Sequence, residues 1–233
     1  MMRALKRGLL RVVGLLLALF LLYNLWIFGH VLWYVDHNPG VTAFMARGLE
    51  RLRERNPRAK LQRQWVPYSR ISLDLKAAVV TSEDARFMSN YGFDWDGILT
   101  AAAKDLKEDR LVAGGSTISQ QLAKNLFLSS DRSFLRKGEE AIITVMLEAV
   151  LGKRRILEIY LNVIQWGRGI YGVEAAARHY FYTSAAQLSV SQSATLAAMI
   201  PDPAWYENHR YGRGYRRRVA NVLRYIHDTP VPR

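Results

Sequence analysis

An apolar run near the N-terminus constrains this chain more than any other feature. Residues 12–28 read VVGLLLALFLLYNLWIF, interrupted by the polar Asn24, and the apolar character continues to Val35. About 20 such residues cross a bilayer as a helix. We therefore predict a transmembrane signal-anchor at residues 12–35. The alternative is a cleaved signal peptide, but the run is longer than an ordinary h-region and no A-x-A-like site comes after it.

The charges on either side of the run give its orientation. The flank at residues 1–11 carries four Lys and Arg residues, whereas residues 36–46 carry none. The positive-inside rule places the first flank in the cytoplasm. We expect a single-pass membrane protein, with a cytoplasmic segment at residues 1–11 and the remaining chain on the opposite side of the membrane.

Length and composition limit the architecture of the chain beyond the anchor. In a chain of 233 residues there is room for one globular domain. We predict a membrane-proximal connector at residues 36–67 and the domain at residues 68–233. Cysteine is absent, which excludes disulfides and thiol catalysis. The net charge of +13 predicts anionic partners, and an outward-facing domain favours lipid or phosphate groups over nucleic acid.

Apolar side chains recur at helical spacing from Ser72 onward, so the domain is predicted to be mostly α. Ser133 is expected to cap one helix, and a second is expected to begin near Lys153 with Ile156, Leu157, Tyr160 and Leu161 on its apolar face. Ser184 with Gln187, and Ser189 with Gln192, match the capping-box pattern. The second pair precedes an apolar stretch that Pro201 ends.

An acidic pair, Glu83 and Asp84, follows an apolar helical stretch and precedes several aromatic residues. Partial burial there would raise the proton affinity of a carboxylate, which suits a general base. On its own the pattern is weak, because a Glu near a helix end is usually solvated.

The segment AGGSTISQQLAKNLFL, at residues 113–128, is more specific. Two glycines lead into hydrogen-bonding side chains suited to gripping a sugar or a phosphate, with Lys124 one turn after Gln120. The alternative is an ordinary polar helix start. No nucleotide-binding P-loop pattern is present.

A third segment places Arg136 and Lys137 four and three residues before Glu140. These residues face one another on a helix, so they form either a modest surface ion pair or an acidic group among cations that bind a pyrophosphate. GRGIYG, at residues 167–172, follows a helical pattern and is not a dinucleotide site. The five histidines show no metal-ligand spacing, so no dedicated metal site is predicted.

Taken together, the blocks EDARFMSNYGFD, GGSTISQQLAKN, RKGEE, KRRILEIYLN and LAAMIPDP resemble the family 51 glycosyltransferases, the peptidoglycan glycosyltransferases, in their monofunctional form. The resemblance runs in order from about Leu73 to Pro203. It implies a lysozyme-like, mostly α fold, and polymerisation of lipid II into glycan strands with inversion and release of undecaprenyl pyrophosphate.

The resemblance also implies roles for single residues. Glu83 would be the general base for the acceptor 4-hydroxyl, and Glu140 would assist at the donor. The donor pyrophosphate and the substrate cleft would be contacted by Lys124, Arg132, Arg136, Lys137, Ser116, Thr117 and Gln121. Glu158 and Asn162 would shape the fold or the acceptor site.

Other features of the family leave alternatives open. The family usually has His where this chain has Asn90, which cannot titrate. Mg²⁺ or Mn²⁺ at the pyrophosphate is left open. Expected partners are lipid II, the growing glycan, membrane lipids, and a separate transpeptidase or other division or elongation proteins. The rival functions are a lytic glycan-cleaving enzyme, which would have no pyrophosphate leaving group, and a membrane-tethered basic adaptor.

The C-terminal segment, residues 207–233, lies beyond the motif blocks and carries seven Arg against Glu207 and Asp228. We predict that these arginines contact anionic lipid headgroups or a lipid-linked pyrophosphate. The alternative is a solvated helix face.

Overall fold

The computed structural model describes residues 2–97, 115–128, 133–210 and 212–233. The described residues are mostly helical, as predicted. The α-helices are α1 (Met2–Trp33), α2 (Ala43–Arg55), α3 (Leu73–Glu83), α4 (Ile118–Phe127), α5 (Phe134–Val150), α6 (Lys153–Val163), α7 (Val173–Phe181), α8 (Val190–Ala197), α9 (Pro203–Tyr206) and α10 (Arg213–Tyr225). Short 3₁₀ turns lie at Tyr68–Arg70 and Ala185–Gln187.

A small sheet joins the predicted connector to the domain. Its strands β1 (Gln62–Arg63), β2 (Gln165–Gly167) and β3 (Ile170–Tyr171) lie in the order β1-β3-β2, with β1 parallel to β3 and β2 antiparallel to it. The sequence GRGIYG therefore forms part of a hairpin and the start of α7. Gly172 has a φ of +80°, and a Cβ there would lie 2.8 Å from the carbonyl oxygen of Asn162, so a side chain is excluded.

Local capping explains several helix boundaries. The Ser133 and Ser189 hydroxyls accept hydrogen bonds from the backbone N–H groups of Arg136 and Gln192, as predicted. The prediction at Ser184 was wrong. Its hydroxyl donates to the Gln187 side chain, at 3.1 Å, and only a 3₁₀ turn forms before Leu188 turns into the core.

The cleft is framed by helix pairs around one core. α3 packs against α8 and α10, and α4 packs against α2, α5 and α6. Fully buried side chains from different elements fill the centre, among them Phe87, Leu75, Ile118, Leu122, Ile156, Tyr160, Trp166 and Tyr171. The C-terminal ends of α3 and α8 and the polar faces of α4 and α5 are thereby brought to one surface.

The apolar helix α1 is longer than predicted, because its basic N-terminal flank continues the helix. Residues Gly8–Trp33 are long and apolar enough to cross a membrane. Its last turns pack on α5 and bury Ile27 and Val31 in the domain core. Arg155 then binds the chain after α1, donating to the carbonyl oxygens of Tyr34 and His37 at 2.9 and 2.8 Å.

Residues 36–67 are also part of the fold. Met45 of α2 is fully buried and β1 pairs with β3. The segment before the predicted boundary at residue 68 therefore packs directly against the domain that follows it.

Candidate active site

A cavity of about 650 Å³ opens between the ends of α3 and α8 and the faces of α4 and α5. It collects residues from segments far apart in the sequence. Its lining is Phe44, Ser82, Glu83, Ser116, Gln120, Gln121, Lys124, Asn125, Arg136, Lys137, Glu140, Ile164, Gln165, Ile200, Pro201, Pro203 and Arg218.

Glu83 is the last residue of α3, and its half-buried carboxylate faces this cavity. One oxygen accepts a hydrogen bond from Gln121 Nε2 at 2.8 Å, and the other accepts from Ser82 Oγ at 3.2 Å. Burial raises the pKa of Glu83 above its ordinary value of 4.5, while these hydrogen bonds and the charge of Arg218 act in the opposite direction. A carboxylate with raised proton affinity is suited to accept a proton.

The Gln121 side chain has a second hydrogen-bond partner, on the side away from Glu83. Tyr160, a fully buried residue of α6, donates its hydroxyl proton to Gln121 Oε1 at 2.8 Å. Burial, followed by the nearby charges of Glu83 and Asp84, raises the pKa of Tyr160 well above its usual value. Tyr160 therefore keeps its hydroxyl proton at neutral pH and can donate it to Gln121.

The opposite side of the cavity is cationic. Glu140 is buried, and it forms ion pairs with Arg136, at 2.7 Å, and with Lys137. Lys124 lines the same cavity from α4. The structure therefore brings Lys124, Arg136, Lys137 and Glu140 together, and their net positive charge is suited to bind a phosphate group.

The two residues at the start of α4 have different positions. Ser116 lines the cavity. Thr117 does not: only 2% of it is exposed, and its hydroxyl donates to the Gly92 carbonyl oxygen at 2.7 Å and accepts from Gln120 N. We therefore correct the prediction that Thr117 lines the cleft, because capping α4 occupies its hydroxyl. Arg132, also predicted in the site, lies outside the described residues.

A buried polar network lies behind Glu83. Asp84 accepts hydrogen bonds from Asn90 Nδ2, at 2.8 Å, and from the backbone N–H of Ile118 at the start of α4, at 3.1 Å. Lys153 donates to Asn90 and forms an ion pair with Glu148. Asn90 thus links the C-terminal end of α3 to the start of α6, while Asp84 links it to α4. The Asn90 amide itself does not titrate.

Glu158 and Asn162 contact the fold rather than the cavity. Asn162 exchanges two hydrogen bonds of 2.9 Å with the backbone of Val66. Glu158 accepts from the backbone N–H of Tyr68 and pairs with Arg155. Both side chains hold the segment before α3.

Several contributors to the site, including Phe44, Tyr160 and Arg218, were not predicted from the sequence. Phe44 was assigned to the connector, Tyr160 to an apolar helix face, and Arg218 to a basic surface. Only Tyr160 carried a signal, since a tyrosine on an apolar face brings a hydroxyl that needs a partner when buried.

Comparison with known proteins supports a single family. Residues 50–227 match the family model described as Transglycosylase. A protein of Thiobacillus denitrificans named biosynthetic peptidoglycan transglycosylase is 60% identical, over 100% of both chains. Proteins of the same name are 55% identical in Chromobacterium violaceum, over 97% of this chain and 100% of that one, and 57% identical in Laribacter hongkongensis, over 97% and 99%. The family match thus extends into both the predicted connector and the C-terminal basic segment.

Proposed function

Since this chain belongs to the transglycosylase family, we propose that it is a peptidoglycan glycosyltransferase of cell-wall biosynthesis, as its relatives are named, and that it polymerises lipid II. One observation carries this proposal. A single cavity presents a desolvated carboxylate, Glu83, and a separate set of cations around Glu140. Glycosyl transfer from a pyrophosphate needs a base and a positively charged site for the leaving group.

The reaction joins two substrates in this cavity. The 4-hydroxyl oxygen of the acceptor N-acetylglucosamine bonds to C1 of the donor N-acetylmuramic acid, on the face opposite the leaving group. The C1–O bond to phosphate breaks, and its electron pair leaves with undecaprenyl pyrophosphate. The hydroxyl proton passes to Glu83. Attack from the opposite face inverts the configuration at C1.

The cationic side stabilises the charge that develops on the leaving pyrophosphate. Lys124, Arg136 and Lys137 supply the positive charge, and Glu140 holds the latter two in place through its ion pairs. Ser116 and Gln121 add hydrogen-bonding groups to the lining. We retain Arg132 as a further pyrophosphate contact from the family resemblance alone.

A metal ion held by the protein does not fit the described part of the cavity. Those residues contain no group of three His, Asp or Glu side chains placed to hold one. Glu140 is already paired with two cations, and Glu83 accepts from Gln121. The ligands of a Mg²⁺ or Mn²⁺ ion would have to be mainly phosphate oxygens of the substrate.

We propose that α1 remains attached as a single-pass anchor in the bacterial inner membrane, with residues 1–11 cytoplasmic and the cavity outside. Three observations support retention over cleavage. The helix is long and apolar enough to span, Ile27 and Val31 are buried in the domain core, and Arg155 binds the carbonyl oxygens just after α1. A separate transpeptidase would cross-link the product, since the chain contains no S-x-x-K, S-D-N or K-T-G motif.

Incubation of the full chain with labelled lipid II, followed by separation of polymer from monomer, tests this function. We expect polymer from the parent protein, and no detectable polymer from a folded Glu83→Gln variant, because the amide cannot accept the proton. Glu54→Gln, on the exposed surface of α2, is the control and should retain activity.

Two results would overturn the assignment. Near-native polymerisation by folded Glu83→Gln would remove Glu83 as the base. Cleavage of preformed glycan strands, with no polymer from lipid II, would favour the lytic enzyme.

A further inference from the structure

Tyr160 contributes a buried hydroxyl that the proposed reaction does not use. It lies on α6, is fully buried, and directs its oxygen toward α4 instead of into the core. Its partner, Gln121 Oε1, belongs to the same amide that donates to the catalytic carboxylate. A chain of two hydrogen bonds, each 2.8 Å long, therefore links Tyr160 to Glu83.

We propose that Tyr160 is a positioning residue that fixes which end of the Gln121 amide faces Glu83. The proposal rests on the proposed role of Glu83 as the base. The two ends of a glutamine amide are similar in size and opposite in hydrogen-bonding character. Because a tyrosine hydroxyl donates its proton to Oε1, Nε2 is left to face the carboxylate. In the reversed orientation the amide oxygen would face the Glu83 carboxylate, and two hydrogen-bond acceptors would repel each other.

The backbone around Gln121 is fixed independently. Its carbonyl oxygen accepts from Asn125 Nδ2 at 2.7 Å, and the Thr117 capping box holds the first turn of α4. When the Tyr160 hydroxyl is removed, the Gln121 side chain can therefore rotate, while the backbone of α4 keeps its position. The effect reaches Glu83 through one hydrogen bond.

The direction of the effect is set by that bond. A hydrogen bond to the charged form of a carboxylate lowers its pKa. When the Gln121 donor is less well held, the pKa of Glu83 rises further, and the base is protonated over a wider acidic range. The charged and titratable groups around Glu83 are Asp84, Arg218 and Tyr160 itself, with Lys124, Arg136, Lys137 and Glu140 elsewhere on the cavity wall. Tyr160→Phe leaves all but Tyr160 in place.

The test compares Tyr160→Phe with Tyr171→Phe in the full chain. Both tyrosines are fully buried, but the Tyr171 hydroxyl has no hydrogen-bond partner among the described residues. We expect Tyr160→Phe to lower kcat by about tenfold with little change in KM. The acidic limb of its kcat/KM profile should move up by roughly half a pH unit. Tyr171→Phe should change neither.

A second arm separates positioning from general loosening of the core. In a Gln121→Ala background the link is already broken, so adding Tyr160→Phe should lower kcat less than about twofold. A full tenfold loss there, or a pH profile of Tyr160→Phe that superimposes on the parent, would overturn the proposal. Failure of the proposed function is distinguishable, because the parent protein would then make no polymer, or folded Glu83→Gln would polymerise lipid II as well as the parent does.

Discussion

Two carboxylates face the same cavity in opposite surroundings. Glu83 accepts neutral hydrogen bonds from Gln121 and Ser82, and burial raises its pKa. Glu140 is buried between the charged ends of Arg136 and Lys137. The first environment favours binding a proton. The second surrounds the Glu140 carboxylate with two cations that it holds at the cavity. The neighbours of a glutamate thus decide whether it moves a proton or organises charge.

After the loss expected for Glu83→Gln, replacing Glu140 should have the largest effect on turnover. In Glu140→Gln, Arg136 and Lys137 lose the charge that holds them at the cavity. We expect turnover to fall at least tenfold, about 1.4 kcal/mol of barrier. Polymerisation of lipid II under saturating substrate measures this loss.

Glu174→Gln is the matched control. Glu174 is equally buried and pairs with Arg178 four residues later, but it does not line the cavity. It should alter stability without a comparable loss of turnover. If Glu140→Gln retains activity within about threefold, roughly 0.65 kcal/mol, the ion pairs contribute to the helix alone.

A smaller effect is expected at Arg218, the cation near Glu83. Its positive charge favours ionised Glu83 and so lowers the pKa of that carboxyl. Arg218→Gln should raise this pKa, so that the acidic limb of kcat/KM moves to higher pH. Because Arg218 is exposed, we expect only a few tenths of a pH unit, decreasing with added salt.

Arg224→Gln controls for net charge on α10, since Arg224 is exposed and does not line the cavity. Its profile should match the parent. An unmoved acidic limb in Arg218→Gln at low salt would assign Arg218 to substrate contact or to the surface.

The smallest effect should come from the other arginines of α10. Arg213, Arg216 and Arg217 are exposed and do not line the cavity, and α10 has no acidic residue. If they contact anionic headgroups, turnover of the parent at low salt should be roughly twofold higher with anionic than with zwitterionic vesicles. Replacing all three arginines with Gln should remove this difference. Equal stimulation of variant and parent would identify a solvated helix face.

Local patterns made part of this structure predictable. Ser133 and Ser189 cap helices through groups three residues away, so their roles are visible in a short window. The pairing of Glu140 with Arg136 and Lys137 is predictable from helical spacing for the same reason. Ser184 failed because the same local pattern also fits a single 3₁₀ turn, and the packing of Leu188 decided between them.

The rest of the site depends on contacts between distant segments. Gln121 and Tyr160 meet Glu83 only after α3, α4 and α6 have packed together. Arg218 reaches the same cavity from the far end of the chain. The sequence indicates that these residues are polar, aromatic or basic, but no spacing rule relates them to Glu83.

The packing of α1 has a consequence for how far the enzyme can reach. Ile27 and Val31 belong to the domain core, and Arg155 fastens the chain beyond the helix. In the proposed topology α1 therefore does not move relative to the domain, and the cavity lies at a constant distance from the bilayer surface. A lipid-linked substrate diffusing in the same plane would meet the cavity at a constant level, so that the search for substrate becomes two-dimensional.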